Sequence, residues 1–163
     1  MQNNDGIILR EFNNIDLHPS DRKVFRKFAR RNYPGINNRW NDDEIEFLVL
    51  VDTDRSKTYE QCAAERIAGM LVMVPYDGNK HCIKLITVDT KYRKRGLGTR
   101  MLIYVAAKYP KEEVIMNVAL DRLDSVNFYC SKGYIKKDEE CPEFGVAVFL
   151  LVNVKLIAQL PLS

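Results

Sequence analysis

Histidine is scarce and cysteine is scattered in this chain of 163 residues. There are two histidines, and the four cysteines (Cys62, Cys82, Cys130 and Cys141) form no Cys-x-x-Cys pair and no Cys/His cluster. A zinc site is therefore not expected, and no metal is assigned. A disulfide framework is not expected either, because a domain of this size does not depend on one. The thiols read as reduced, which suits a cytoplasmic protein. Long apolar runs are also lacking. Stretches such as 146–152 fall far short of the roughly 20 residues that span a bilayer and read as buried strands. The start, MQNNDGIILREF, has no basic flank leading into a long apolar stretch, so it does not read as a signal peptide. No strong excess of one charge exists: the net charge is +3. That excludes a histone-like polycation and suits an anionic ligand without requiring one. There is no internal repeat and no low-complexity linker.

What is present is an ordinary globular mixture, 46% hydrophobic and 29% charged. It reads as one domain, 1–163. A short first strand is expected over Gly6–Phe12 and a helix over Pro19–Tyr33. Proline suits a first helical turn, and Val24, Phe25, Phe28 and Ala29 recur at helical spacing. The other face of that helix carries Arg22, Lys23, Arg26, Lys27, Arg30 and Arg31, and reads as a solvated basic face. A turn-rich loop, NYPGINNRW, leads to the acidic residues Asp42, Asp43, Glu44 and Glu46. Strands are expected over Phe47–Asp52, Ile67–Pro75 and Cys82–Val88. The first two are joined by a polar loop that starts at Thr53–Gln61, and the last two by an Asp77-Gly78-Asn79 hairpin. A helix over Gly98–Tyr109 buries Met101, Leu102, Val105 and Ala106. Then come a strand over Glu113–Leu120, a helix over Asp124–Lys132 capped by Gly133, and strands over 134–137 and 146–152. The acidic loop 138–143 joins these last two. This order makes a mixed α+β sheet with helices packed on its faces.

The chemistry concentrates in Arg93-Lys94-Arg95-Gly96-Leu97-Gly98. A strand that feeds a glycine turn and then a helix N-terminus leaves unpaired N–H groups where the helix dipole favours an anion. Gly96 and Gly98 allow close approach and positive φ, and the three cations add charge. A P-loop is excluded, because no G-x-x-x-x-G-K-S/T occurs. A dinucleotide G-x-G-x-x-G is excluded too, since Met101 stands where the third small residue belongs.

The pattern that fits is R-x-x-G-x-G, formed by Arg93, Gly96 and Gly98 after the apolar strand Ile86-Thr87-Val88. Downstream, Ser125-Val126-Asn127-Phe128-Tyr129-Cys130-Ser131-Lys132-Gly133-Tyr134 looks like A-x-x-L/F-Y-x-x-x-G-F/Y with serine for alanine. With both motifs in this order, the sequence resembles the GNAT N-acetyltransferase superfamily over roughly 82–152, its cofactor-binding half. The resemblance implies a mixed, mostly antiparallel central sheet of about seven strands flanked by helices. It implies acetyl-CoA as cofactor and an amine as acceptor.

Carried over by residue, the resemblance implies that Ile86, Thr87 and Val88 pair with the pantetheine arm. The backbone N–H groups of about Lys94 to Thr99 (Lys94, Arg95, Gly96, Leu97, Gly98 and Thr99) would bind the pyrophosphate, with Arg93 adding charge beside them. The N–H of Val88 would stabilise the oxyanion formed on amine attack. Tyr129 would protonate the leaving thiolate, a role that typically gives about 10²–10⁴-fold in rate. Two positions depart from the family pattern. Arg122 replaces an asparagine that contacts the cofactor, and could reach a phosphate instead or simply point to solvent. Asn117 stands where some relatives carry a glutamate base and cannot take a proton. Glu44, Glu46, Asp89 and Glu143 remain as candidate bases, or proximity alone does the work. Cys130, beside the tyrosine, is expected to have a packing role.

These readings lead to direct transfer, in a ternary complex, to a primary amine: a lysine side chain, a protein N-terminus, a polyamine or another small amine. The alternative is a non-catalytic acyl-CoA-binding module of the same fold. No nucleic-acid reader motif is visible, no membrane partner is expected, and a monomer or homodimer is.

Overall fold

The computed structural model describes residues 6–33, 44–53, 66–76, 80–109, 113–119, 123–137 and 148–153. The elements run β1 (Ile7–Asn13), a 3-10 turn (Asn14–Asp16), α1 (Pro19–Asn32), β2 (Glu46–Asp52), β3 (Ile67–Tyr76) and β4 (Lys80–Val88). A second 3-10 turn (Thr90–Tyr92) follows, then α2 (Leu97–Lys108), β5 (Glu113–Ala119), α3 (Leu123–Ser131), β6 (Tyr134–Lys137) and β7 (Val148–Asn153). The strands form a seven-stranded sheet in the order β1-β2-β3-β4-β5-β7-β6. The expected α+β class is what is found. β1–β2, β2–β3, β5–β7 and β6–β7 are antiparallel, whereas β4–β5 is parallel. That one parallel pair is joined through α2, because parallel neighbours need a long crossover.

Element ends differ by a residue or two from expectation. β4 begins at Lys80 rather than Cys82, and α2 begins at Leu97 rather than Gly98. The two 3-10 turns carry no periodicity and were not anticipated. Asp42, Asp43, the segment 54–65, Asp77-Gly78-Asn79 and the loop 138–147 lie outside the described residues.

Backbone contacts divide the chain into two compact units, Met1–Met73 with Leu85–Gly98, and Val74–Lys84 with Thr99–Ser163. In the first, α1 starts at His18, whose ring accepts from the N–H of Ser20, with Pro19 in the first turn. Arg30 and Arg31 close its last turn, where cations suit the helix dipole. Phe25, Phe28 and Ala29 are buried as the spacing requires. Phe25 meets Phe12 edge-on at 5.3 Å and Phe47 at 5.4 Å. Burying each such ring stabilises by roughly 1.5–3 kcal/mol. β2 is buried continuously from Phe47 to Leu50, as a strand covered on both faces must be. Opposite it, the β2–β3 ladder skips Ala68: Leu50 pairs with Gly69 and Val51 with Ile67. This bulge matters for the site.

In the second unit, α2 buries Met101, Leu102, Val105 and Ala106, as expected. Cys82 of β4 packs with Ile115 and Val74. α3 buries Val126 and ends at Gly133, whose φ is +94°. The N–H of Gly133 bonds the carbonyl of Cys130 at 3.1 Å, so the expected glycine cap is present.

Candidate active site

The glycine turn is held by the residue that opens it. Asp89, at the end of β4, is buried to 6% exposure. Its N–H donates to the carbonyl of the bulge residue Ala68 at 2.8 Å. Its Oδ1 accepts from the N–H of Lys91 at 3.1 Å and so caps the 3-10 turn. Its Oδ2 accepts from Nη2 of Arg31 on α1 at 2.7 Å. A buried carboxylate must be paired in this way. Three residues on, Tyr92 is buried and its hydroxyl donates to Oδ2 of Asp52 on β2 at 2.6 Å. The guanidinium of Arg95 lies over the Tyr92 ring, 5.2 Å from its centre, a cation–π contact. The turn is thus pinned to α1, β2 and β3.

These bonds correct two readings. Both carboxylate oxygens of Asp89 are engaged, so it is a clamp and not a candidate base. The basic face of α1 is not uniformly solvated either. Arg31 holds Asp89, and Arg22 donates to the carbonyl of Asn14 at 2.9 Å. Lys23, Lys27, Arg30 and Arg31 are exposed, and Arg22 and Arg26 are half-buried.

Beyond Tyr92 the backbone turns left-handed twice. Lys94 has φ +63° and Gly96 has φ +73°. A non-glycine residue there costs about 1–2 kcal/mol and persists only where its surroundings impose it. Left-handed residues in a turn are one way in which successive N–H groups come to line an anion-binding concavity, a nest. A Cβ built on Gly96 would meet nothing within 4 Å, so the space over this backbone is open. Gly98 differs from expectation, because it sits in the first turn of α2 and is not among the left-handed residues. Leu97 is buried at 2% exposure and anchors the helix start, while Arg93, Lys94 and Gly96 are exposed. Arg93 donates from Nε to the carbonyl of Val88 at 3.2 Å. Ile86, Thr87 and Val88 are half-buried, and the β4–β5 ladder covers Lys80–Ile83 only. Open left-handed backbone, helix N-terminus and cations together fit a pyrophosphate.

In the second unit, Tyr129 lies half-buried on α3, edge-on to Phe128 at 5.4 Å and to Tyr134 at 6.1 Å. Tyr134 is buried at 3% exposure. Cys130 is exposed, so the packing role expected of it is not met. Asn117 pairs with Leu150 across β5–β7. Arg122 and Glu143 lie outside the described residues. Glu44 is exposed and Glu46, at the start of β2, is half-buried. No group of three or more metal-ligating side chains occurs among the described residues.

The model of the acetyltransferase (GNAT) family matches residues 15–134. The chain belongs to that family. Its cofactor is acetyl-CoA, as the resemblance carried by the two motifs implied. Among curated proteins no sequence match is found. Solved structures with the same fold include Arabidopsis thaliana NAA60 in complex with acetyl-CoA, 18% identical, covering 90% of this acetyltransferase and 97% of that chain at a TM-score of 0.64. Escherichia coli ElaA is 14% identical, with 91% and 99% covered and a TM-score of 0.67. The spermidine N-acetyltransferase SpeG of Vibrio cholerae is 13% identical, with 93% and 95% covered and a TM-score of 0.65. At these identities the likeness speaks for the fold of the acetyltransferase alone.

Proposed function

We propose that this acetyltransferase moves an acetyl group from acetyl-CoA directly to a primary amine, with both substrates bound together. The observation that carries the reading is the left-handed pair Lys94 and Gly96, with open space over Gly96, at the N-terminus of α2. Backbone N–H groups from Lys94 to Thr99 bind the pyrophosphate, and Arg93, Lys94 and Arg95 add charge. The edge of β4 at Ile86, Thr87 and Val88 pairs with the pantetheine arm, and Arg122 reaches a phosphate. Acetyl-CoA supplies an activated acyl group on a thiol leaving group. The N–H of Val88 stabilises the oxyanion that develops as the amine attacks. Tyr129 gives its proton to the departing thiolate.

With Asp89 engaged and Asn117 unable to accept a proton, we assign no dedicated base. The amine enters neutral, and holding it against the thioester supplies the acceleration. The acceptor is a lysine side chain, a protein N-terminus, a polyamine or another small amine. Among the structural neighbours are a NatC complex bound to a Gag peptide and CoA, and spermidine N-acetyltransferases.

The test is thiol release from acetyl-CoA against a panel of peptides, polyamines and small amines, with the mass of each product measured. One acceptor gaining a single acetyl group on nitrogen supports the reading. Tight acetyl-CoA binding with no thiol release from any of them would leave only the acyl-CoA-binding module.

A further inference from the structure

Tyr134 carries a buried polar atom that no described residue uses. Its hydroxyl is fully buried and has no hydrogen-bond partner among the described residues. The residue as a whole is 3% exposed. It stands at the first position of β6, directly after Gly133, and its backbone pairs with Asn153 of β7. An unsatisfied buried hydroxyl is destabilising, and phenylalanine would fill the same space without that cost. Such a group in a native core calls for a partner that arrives later. A titratable neighbour is Tyr129, whose ring lies edge-on to it at 6.1 Å.

We propose that Tyr134 is a positioning residue for the transfer step, holding a hydrogen bond ready for the oxygen of Tyr129 as that phenol gives up its proton. This rests on the reading of Tyr129 as proton donor. In the step, the O–H bond of Tyr129 breaks and an S–H bond forms on the leaving thiol. The electron pair of the broken bond stays on the Tyr129 oxygen. Tyr134 donates a hydrogen bond to that oxygen and keeps its own proton. The C–S bond of the thioester breaks with its electron pair on sulfur, which the proton from Tyr129 caps. Tyr129 recovers through water the proton that the amine nitrogen gives up on becoming an amide. A donor in a dry site stabilises charge that appears only as the reaction proceeds, which is where such a bond accelerates.

The electrostatics agree. Burial first, and the charge on Tyr129 second, hold the Tyr134 phenol well above the ordinary tyrosine range. Tyr134 therefore remains a neutral donor while a negative charge forms beside it. The cation of Lys132 lies over the Phe128 ring at 5.6 Å. Asp124 and Cys130, the other titratable groups on α3, are exposed.

The test is a double-substitution cycle with Tyr129→Phe and Tyr134→Phe, reading kcat, the KM for acetyl-CoA and the melting temperature. Tyr134→Phe alone should lower kcat about tenfold, leave KM unchanged and melt at or above the wild-type temperature. In the Tyr129→Phe background it should lower kcat no further. An unchanged kcat would overturn the inference. So would an equal loss in both backgrounds, or a fall in melting temperature of several degrees, which would mean that the hydroxyl already has a structural partner. If the wild-type chain releases no thiol with any acceptor, the transfer reading fails and this one fails with it. Loss on Tyr129→Phe with none on Tyr134→Phe would keep the first and remove the second.

Discussion

The turn from Asp89 to Gly98 and the helix α3 carry the two halves of the proposed chemistry, and they are built differently. The turn is bonded to α1, β2 and β3, and it buries Asp89, Tyr92 and Leu97. It also keeps Lys94 in a backbone conformation that its side chain disfavours. α3 buries Val126, and leaves Leu123 at 60% and Phe128 at 38% exposure. A rigid, strained turn suits a task of binding, where N–H groups must already point at the anion before it arrives. A lightly anchored helix suits a group whose work is a proton transfer, because its hydrogen bonds need tighten only as the complex forms. On this view, substitutions in the turn change affinity, and substitutions on α3 change turnover.

The largest effect should come from α3. Tyr129→Phe should lower kcat by about 10²–10⁴-fold and leave the Kd for acetyl-CoA within about twofold. Equilibrium binding and steady-state rates separate the two. If affinity falls and turnover holds, the division of labour is reversed.

The converse test is Gly96→Ala. The new methyl enters the open space over the nest and forces an L residue to φ +73°. Acetyl-CoA affinity should fall about 10–100-fold, a loss of about 1.4–2.7 kcal/mol. Saturated kcat should change little. Calorimetric titration with CoA reads this without any acceptor. The fold should lose about 1–2 kcal/mol from the strained φ alone.

How legible these parts were in the sequence follows from how local their causes are. The glycine turn, the helix after it and the Gly133 cap each depend on neighbouring residues, and each was readable. So was the apolar stripe of α1, which repeats with the helical period. Asp89 as the cap of the Thr90–Tyr92 turn is also a local signal, since aspartate is a favoured cap, but it was read as a candidate base. The two bonds that fix the turn were not legible. Arg31 is 58 residues from Asp89, and Asp52 is 40 from Tyr92. No periodicity links such pairs. Arg31 looked like one more cation on a basic face. The Ala68 bulge depends on the register of two strands, which the apolar run of β3 does not encode.

Arg31→Ala probes that hidden link at a smaller scale. It leaves the Asp89 carboxylate buried without its cation, which should cost about 1–3 kcal/mol of stability. The value sits below that of a fully buried pair because the Arg31 side chain is 38% exposed. Denaturant unfolding measures it. Affinity for CoA should fall with it, since the turn loses its tie to α1. Asp89→Asn should retain part of both, because an amide oxygen can still cap the turn. A stability loss with unchanged CoA affinity would show that the turn does not need α1.

The smallest expected effect separates backbone from side chain within the nest. Lys94→Gly relieves a left-handed residue of its Cβ, a gain of about 1–2 kcal/mol. It also frees the unfolded chain, which takes back about 0.5–1 kcal/mol. The net should be a stabilisation of at most about 1.5 kcal/mol. The nest keeps its shape because glycine adopts the same φ. What is lost is one cation beside the pyrophosphate, so CoA should bind only a few-fold more weakly, with a shallower dependence on salt. A larger loss, unaffected by salt, would mean that the backbone at residue 94 has rearranged. The strain at Lys94 would then be what holds the N–H groups in place.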